Sequence, residues 1–382
     1  MITLVESGEV YAPEPLGRRD VLIVNDRIVM IGEVDRRGLK ALGHEHKVID
    51  AIGCVVTPGF IDPHEHLLGG SGEDGFSTQT PEINLGEIVT AGITTVVGAL
   101  GVDTTMKTMS GLLAKAKALR EEGMTAFAWT GGYNVPPSSI TDSVRNDIMY
   151  IAEVIGAGEI AISDERSTDP APRELARLVS DANVGGMLSN KACVTHFHVG
   201  DKEERLRPLK TLVEEFGVQP GLLYPTHVER SEALMREAID LGKRGMFVDI
   251  DTVEEDLPKW LRFYLDNGGD PKRLTASSDA SVTATYNLFG QIRACVIEHG
   301  FAIEQVLPLV TRNTSEVLKL DSKGRLEVGK DADVLVLRKN AFEIKDVIVR
   351  GKHMVEDGRF ITGERFLERS HRRNSLHRKR IQ

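Results

Sequence analysis

Cysteine is scarce in this chain of 382 residues: there are three, Cys54, Cys193 and Cys295, widely spaced and odd in number. That argues against a disulfide framework and fits a reducing cytoplasm. No apolar run is much longer than a strand, so no transmembrane helix of about 20 residues is expected, and no membrane partner. The first residues, Met1-Ile2-Thr3-Leu4-Val5-Glu6-Ser7, lack a basic region followed by an apolar stretch, so no secretory signal is expected. Positive charge is in deficit. Lys and Arg number 47 against 57 Asp and Glu, a net charge of −10, which argues against a nucleic-acid partner. The exception is a basic tail at 363–382, with Arg369, Arg372, Arg373, Arg378, Lys379 and Arg380, read as solvated or subunit-contacting.

What is present is an ordinary globular composition, 41% hydrophobic and 27% charged, in a chain too long for one average domain. Short β-branched apolar runs recur, each ending in polar residues. They are Val55–His66, Ile93–Leu100, Thr125–Tyr133, Glu159–Asp164, Cys193–His198, Leu222–His227, Met246–Asp251 and Leu274–Asp279. Helical patterns lie between them, for example over Met109–Gly123, Asp142–Ile155 and Glu203–Phe216. A strand with its crossover helix needs about 30 residues, which is close to this spacing. Eight such units predict an α/β fold, a (β/α)8 TIM barrel over 55–320. An open doubly wound sheet is the alternative, but it has fewer strands and a switch point that scatters their polar ends. The flanks, 1–54 and 321–362, read as strands and turns. Neither is large enough for its own core, so together they are expected to form one small β-sandwich domain.

Barrel chemistry sits at the C-terminal ends of the strands. The stretch "GFIDPHEH" places His64 and His66 at the end of the first run, two apart and so on one face. Two imidazoles on one face are half of a zinc site, although an isolated HxH is more often solvated than metallated. The other runs add Tyr133, Glu159, His198, His227 and Asp279. Each has a plain explanation alone: His227 could cap a helix, and Asp279 in "SSD" could be an N-cap. Four imidazoles and two carboxylates at one end of one barrel point instead to a binuclear metal site.

These residues bring the chain into resemblance with the amidohydrolase superfamily, through "TPGFIDPHEH" and "GKDADVLVL". Within it the chain is similar to the isoaspartyl dipeptidase family, through "HLLGGSGEDGFSTQTPE", "TAGITTVVGALG", "TGGYNVPPSSITDSV", "AISDERS", "FHVGD", "LYPTHVERS" and "TASSD". The resemblance implies two divalent metals. His64 and His66 with Asp279 would hold one, and His198 with His227 the other. It implies hydrolysis of the β-aspartyl peptide bond by a metal-bridging hydroxide, with Asp279 as general base and acid and Tyr133 steadying the oxyanion. Glu73 would hold the substrate's ammonium, Arg166 and Arg230 its carboxylates, and Thr283 would be a further substrate contact. The partner would be a small dipeptide, and the protein a cytoplasmic homo-oligomer. Elementary chemistry agrees: two metals activate water and polarise an amide, and arginine suits a planar carboxylate. His and carboxylate ligands suit zinc best and also admit manganese, iron or cobalt.

The chain departs from the better-known members of the family in one respect. Those carry a carbamylated lysine on strand 4 that bridges the metals. Here the matching residue is Glu159, several atoms shorter, so the strand must lie nearer the metals or the metals must shift. The alternative is one metal, with Glu159 hydrogen-bonded beside it. His196, two residues before His198, is expected to be a core histidine bonded to a neighbour. Three rival functions remain at this stage: deacylation of N-acyl amino acids, hydrolysis of a cyclic amide of the dihydroorotase type, and a non-catalytic scaffold. The scaffold is disfavoured because scaffolds of this fold typically lose the metal-binding histidines, and all four are present.

Overall fold

The computed structural model describes residues 1–41, 43, 45–254, 256–281 and 283–365, so the basic stretch Arg369–Arg380 lies outside the described residues. Eight parallel strands form a TIM-barrel-like α/β core. They are β1 (Phe60–Glu65), β2 (Ile93–Gly98), β3 (Thr125–Thr130), β4 (Val154–Ile162), β5 (Thr195–Val199), β6 (Leu223–Thr226), β7 (Val248–Asp251) and β8 (Leu274–Ser277). Strands β1 to β6 hydrogen-bond in chain order as one sheet, and β7 pairs with β8. The circle closes just past β8. Asp279 N–H donates to the His64 carbonyl at 3.0 Å, and His66 N–H donates to the Ala280 carbonyl at 2.9 Å.

The unit between β2 and β3 shows why the sequence folds this way. Thr108 accepts from Gly111 N–H and opens a helix over Met109–Glu122, a cap worth about 1 kcal/mol. Met109, Leu112, Ala116 and Leu119 recur at helical spacing and are buried against the sheet. Gly123, at φ 106°, ends the helix in a left-handed conformation that favours glycine.

Residues from both ends of the chain build a second sheet of nine strands. Its seam is the antiparallel pairing of Cys54–Pro58 with Val334–Arg338. Val5, Val10, Ile23 and Val56 from one end pack with Val334, Val336 and Ile348 from the other in a core separate from that of the barrel.

Several sequence expectations shift. The run Val55–His66 is two strands: Cys54–Pro58 belongs to the flanking sheet and β1 to the barrel. Gly59 divides them, and it passes so close to Thr94 that a Cβ would lie 2.2 Å from its Oγ1. The helix expected over Asp142–Ile155 is only Val144–Tyr150, and β4 begins at Val154. The two glycines in "VIGAG" hid the start of that strand from a β-propensity reading. Glu159 is therefore not near the start of β4 but well towards its catalytic end. Tyr133 is not on a strand; it follows the end of β3 by three residues. Among the described residues no helix is long and apolar enough to cross a membrane.

Candidate active site

The barrel brings the six expected metal ligands together. His64, His66 and Asp279 form one group, and Glu159, His198 and His227 another; within each, the ligand atoms lie within 4.8 Å of one another. Glu159 stands between the groups. Its Oε2 is 3.1 Å from His64 Nε2, 3.4 Å from His198 Nδ1 and 3.9 Å from His227 Nε2. Its Oε1 is 3.7 Å from His66 Nε2. Asp279 Oδ1 lies 3.0 Å from His66 Nε2 and 3.5 Å from His64 Nε2. Next to Glu159, a Cβ on Gly158 would lie 2.7 Å from that of His196, so only glycine fits where β4 passes β5.

The donor set fits a divalent metal. Both oxygens of Glu159, Nε2 of His64 and Nε2 of His227 are buried without a well-formed hydrogen bond, which is costly unless something else satisfies them. Electrostatics point the same way. Burial opposes charge on His64, yet Glu159 and Asp279 outweigh it and push its pKa up to about 10. Burial would raise Glu159 and Asp279, yet the neighbouring imidazoles, His64 foremost, hold both below the ordinary carboxylate range. The two carboxylates favour positive charge at the cluster, which a proton on His64 or a bound cation can supply. His227 and Asp279 also sit at positive φ, 61° and 45°, just beyond their strands; that strained turn aims each side chain into the barrel mouth.

Two of the candidate ligands are oriented from behind by carboxylates that sequence reasoning did not single out. His227 Nδ1–H donates to Asp251 Oδ2 at 2.5 Å, which turns Nε2 inward. His198 Nε2–H donates to Asp164 Oδ2 at 3.0 Å, which leaves Nδ1 facing Glu159. The available signal was that both aspartates close apolar runs of barrel spacing. His196 is the core histidine expected from the sequence: its Nδ1–H donates to the Tyr224 carbonyl at 2.9 Å, and its ring stacks on Trp129. Its Nε2 is nonetheless buried, without a partner, beside His64 and Glu159.

Above the cluster lies a cavity of roughly 390 Å³, the size of a small-ligand site. His66, Glu73, Tyr133, Arg166, His198, Arg230 and Asp279 line it. The Tyr133 hydroxyl donates to His198 Nδ1 at 2.9 Å. Burial first, then Glu159, raises the Tyr133 pKa well above its ordinary value, so it remains a donor. Arg166 Nη1 donates to Glu73 Oε1 at 2.7 Å, and Arg230 Nη1 to Asp201 Oδ2 at 2.8 Å. The groups expected to take opposite charges of a substrate thus neutralise one another or a neighbour. Thr283 is not part of this wall, where Ser281 stands instead. The Thr283 hydroxyl is buried without a partner two residues further on. Lys107 was also missed. It lines the cavity and ties down the loop that carries Glu73, donating to the Leu68 carbonyl at 2.6 Å.

A sequence model of the Amidohydrolase family matches residues 55–354. The chain belongs to the amidohydrolase family. Among solved structures it resembles the beta-aspartyl dipeptidase of the thermophilic, keratin-degrading Fervidobacterium islandicum. Identity is 37% and the TM-score 0.90, over 94% of this chain and 99% of that one. A second structure of that enzyme, in complex with the beta-Asp-Leu dipeptide, matches at 36% identity and TM-score 0.90, over 94% and 98%. A dihydroorotase of Lactobacillus johnsonii is 33% identical over 88% of this chain and 89% of its own. An imidazolonepropionase of Streptomyces coelicolor is 32% identical, but the match spans only 48% of this chain and 44% of that protein. Membership of this family makes the protein a metal-dependent hydrolase.

Proposed function

We propose that the protein is a binuclear, zinc-dependent dipeptidase that hydrolyses the β-aspartyl bond of isoaspartyl dipeptides. One observation carries this reading. Glu73, Arg166 and Arg230 gather round the same cavity as Tyr133, Asp279 and the metal-ligand set. An isoaspartyl dipeptide brings one ammonium and two carboxylates; in a wall that also holds Asp74, Asp103 and Lys107, Glu73 is placed to meet the ammonium and the Arg166 and Arg230 guanidinium groups to meet the carboxylates. His64, His66, Glu159, His198, His227 and Asp279 would hold two zinc ions, which would supply an activated water and a polarised amide carbonyl. Glu159 lies within reach of both residue groups and would serve as the bridge in place of a carbamylated lysine. Asp279 takes the water's proton and returns it to the leaving amine. Tyr133 donates to the oxygen of the tetrahedral intermediate. Glu73 holds the substrate's ammonium, while Arg166 and Arg230 hold its carboxylates. Thr283 becomes a contact only if the loop after β8 turns its hydroxyl towards the cavity.

The second reading, a dihydroorotase-type cyclic-amide hydrolase, is favoured by the Lactobacillus johnsonii relative. Dihydroorotate carries no ammonium, so Glu73 would have no cation to receive. The zinc-loaded protein should therefore be assayed on β-aspartyl dipeptides, α-aspartyl dipeptides, N-acyl amino acids and dihydroorotate. Turnover of the first class alone is expected. Preference for dihydroorotate or for N-acyl amino acids would overturn the assignment.

Three further points belong to the same reading. The segments 1–54 and 321–362, extended by residues 55–58, make one small β-sandwich domain beside a barrel that begins after Gly59. The scarce cysteines fit a cytoplasmic protein. The family resemblance fits a homo-oligomer.

A further inference from the structure

We infer that Asp164 is a positioning residue that sets two parts of the site at once, the nitrogen that His198 presents to a metal and the plane of the Arg166 guanidinium. The inference rests on the dipeptidase reading for its substrate half and on the ligand cluster alone for its metal half. Asp164 is buried at the mouth, just after β4. Four N–H groups converge on its carboxylate. Oδ1 accepts from the Arg166 backbone N–H at 2.7 Å and from Arg166 Nε at 2.9 Å. Oδ2 accepts from Arg166 Nη2 at 2.9 Å and from His198 Nε2 at 3.0 Å.

Each bond has a consequence. Arg166 Nη2 also lies 3.1 Å from His198 Nε2; with both N–H groups donating to the shared Asp164 Oδ2, His198 carries its lone pair on Nδ1, the nitrogen that faces Glu159 Oε2 at 3.4 Å and meets the Tyr133 hydroxyl. The side-on grip on Nε and Nη2 fixes the guanidinium and leaves Nη1 to Glu73. The grip also holds Arg166 over the Tyr133 ring, 5.2 Å from its centroid. One carboxylate therefore keeps the second metal position and the substrate's carboxylate position in a constant relation. An attacking water and its target carbonyl need that relation within tenths of an ångström.

The arrangement is also sensitive to a change of one atom. Asparagine has the shape of aspartate but only one acceptor oxygen. Whichever way its amide turns, an NH2 group faces two donors. It must either disturb His198 or release Arg166.

The test is Asp164→Asn, with Arg166→Met and the double variant. Zinc binding to the metal-free proteins is followed by competition with a chromophoric chelator, which needs no substrate. The second zinc should bind about 10- to 100-fold more weakly in Asp164→Asn, the usual loss when a ligand's hydrogen-bond partner is removed. Arg166→Met should bind zinc as the parent does. At saturating zinc, both single variants should raise KM for β-Asp-Leu, and adding Asp164→Asn to Arg166→Met should raise it little further. Unchanged zinc affinity in both Asp164→Asn and Asp164→Ala, the latter lacking both acceptors, overturns the metal half, and fully additive KM effects overturn the link through Arg166. If Asp164→Asn does not fold, Asp164→Ala takes its place with the same expectations. A parent protein inactive on β-aspartyl dipeptides, but with a zinc response that depends on Asp164, would refute the dipeptidase reading and support the metal half.

Discussion

Glu159 and Lys323 are both buried charges, yet only Lys323 has well-formed hydrogen bonds from its own chain. Lys323, where the barrel meets the flanking sheet, donates to Thr125 Oγ1 at 2.7 Å and pairs with Asp331 at 2.9 Å and Asp333 at 2.5 Å. It ties β3 to the C-terminal part of the sheet, and its three donors have three partners. Glu159, at the barrel mouth, has imidazoles around it and no well-formed hydrogen bond to either oxygen. A buried charge that the fold satisfies serves the fold. One that the fold leaves unsatisfied implies a partner from outside, and here the surrounding donors specify a cation.

The largest expected effect separates the two clusters directly. Chelation should abolish hydrolysis while far-UV circular dichroism stays that of a folded protein, because the barrel core does not depend on the metal cluster. Zinc alone should restore full activity in bicarbonate-free buffer, since a glutamate needs no carbon dioxide to become a bridge. A bicarbonate requirement would show that another group joins the metals. Glu159→Gln should hold fewer zinc ions per chain, measured by elemental analysis.

Lys323→Met should behave in the opposite way. It leaves the buried Asp333 with only the Arg350 N–H, while Asp331 keeps Arg27 and Ser322, and should cost about 3–5 kcal/mol of stability in denaturant unfolding, while the folded fraction keeps its kcat. A variant as stable as the parent would erase the contrast between the two clusters. Asp279→Asn should lose at least about 10²-fold in kcat, the range of a general acid or base, with the fold unchanged. Near-normal turnover with full metal content would remove Asp279 from the proton-transfer role. Arg230→Met should weaken use of β-aspartyl dipeptides by roughly 1.5–3 kcal/mol, the worth of a charge-assisted hydrogen bond. It should leave metal content alone, because Arg230 pairs with the exposed Asp201 and not with a ligand. Loss of metal instead would make Arg230 a support of His227.

The strand repeat, the helix over Met109–Glu122 and the six metal-ligand candidates were legible because they are local. They rest on residue type, alternation along a strand and spacing along the chain. The seam at Gly59 was not, because an uninterrupted apolar run carries no mark of which sheet each half will join. The start of β4 was missed because glycine reads as a turn, and its use at Gly158 is visible only when His196 lies against it. Asp164, Asp251 and Lys107 could not be ranked above other charged residues. Their meaning lies in atoms brought from elsewhere: His198 to Asp164, His227 to Asp251, the Leu68 carbonyl to Lys107. The sequence alone determined which side chains can hold a metal and that a barrel would deliver them to one end. The tertiary structure decided which nitrogen of each histidine faces inward, which acid stands between the two groups, and which charges remain unpaired. Those outcomes depend on distances of a few ångströms between residues as far apart in the chain as His64 and Asp279, and no pattern along one chain encodes such distances directly.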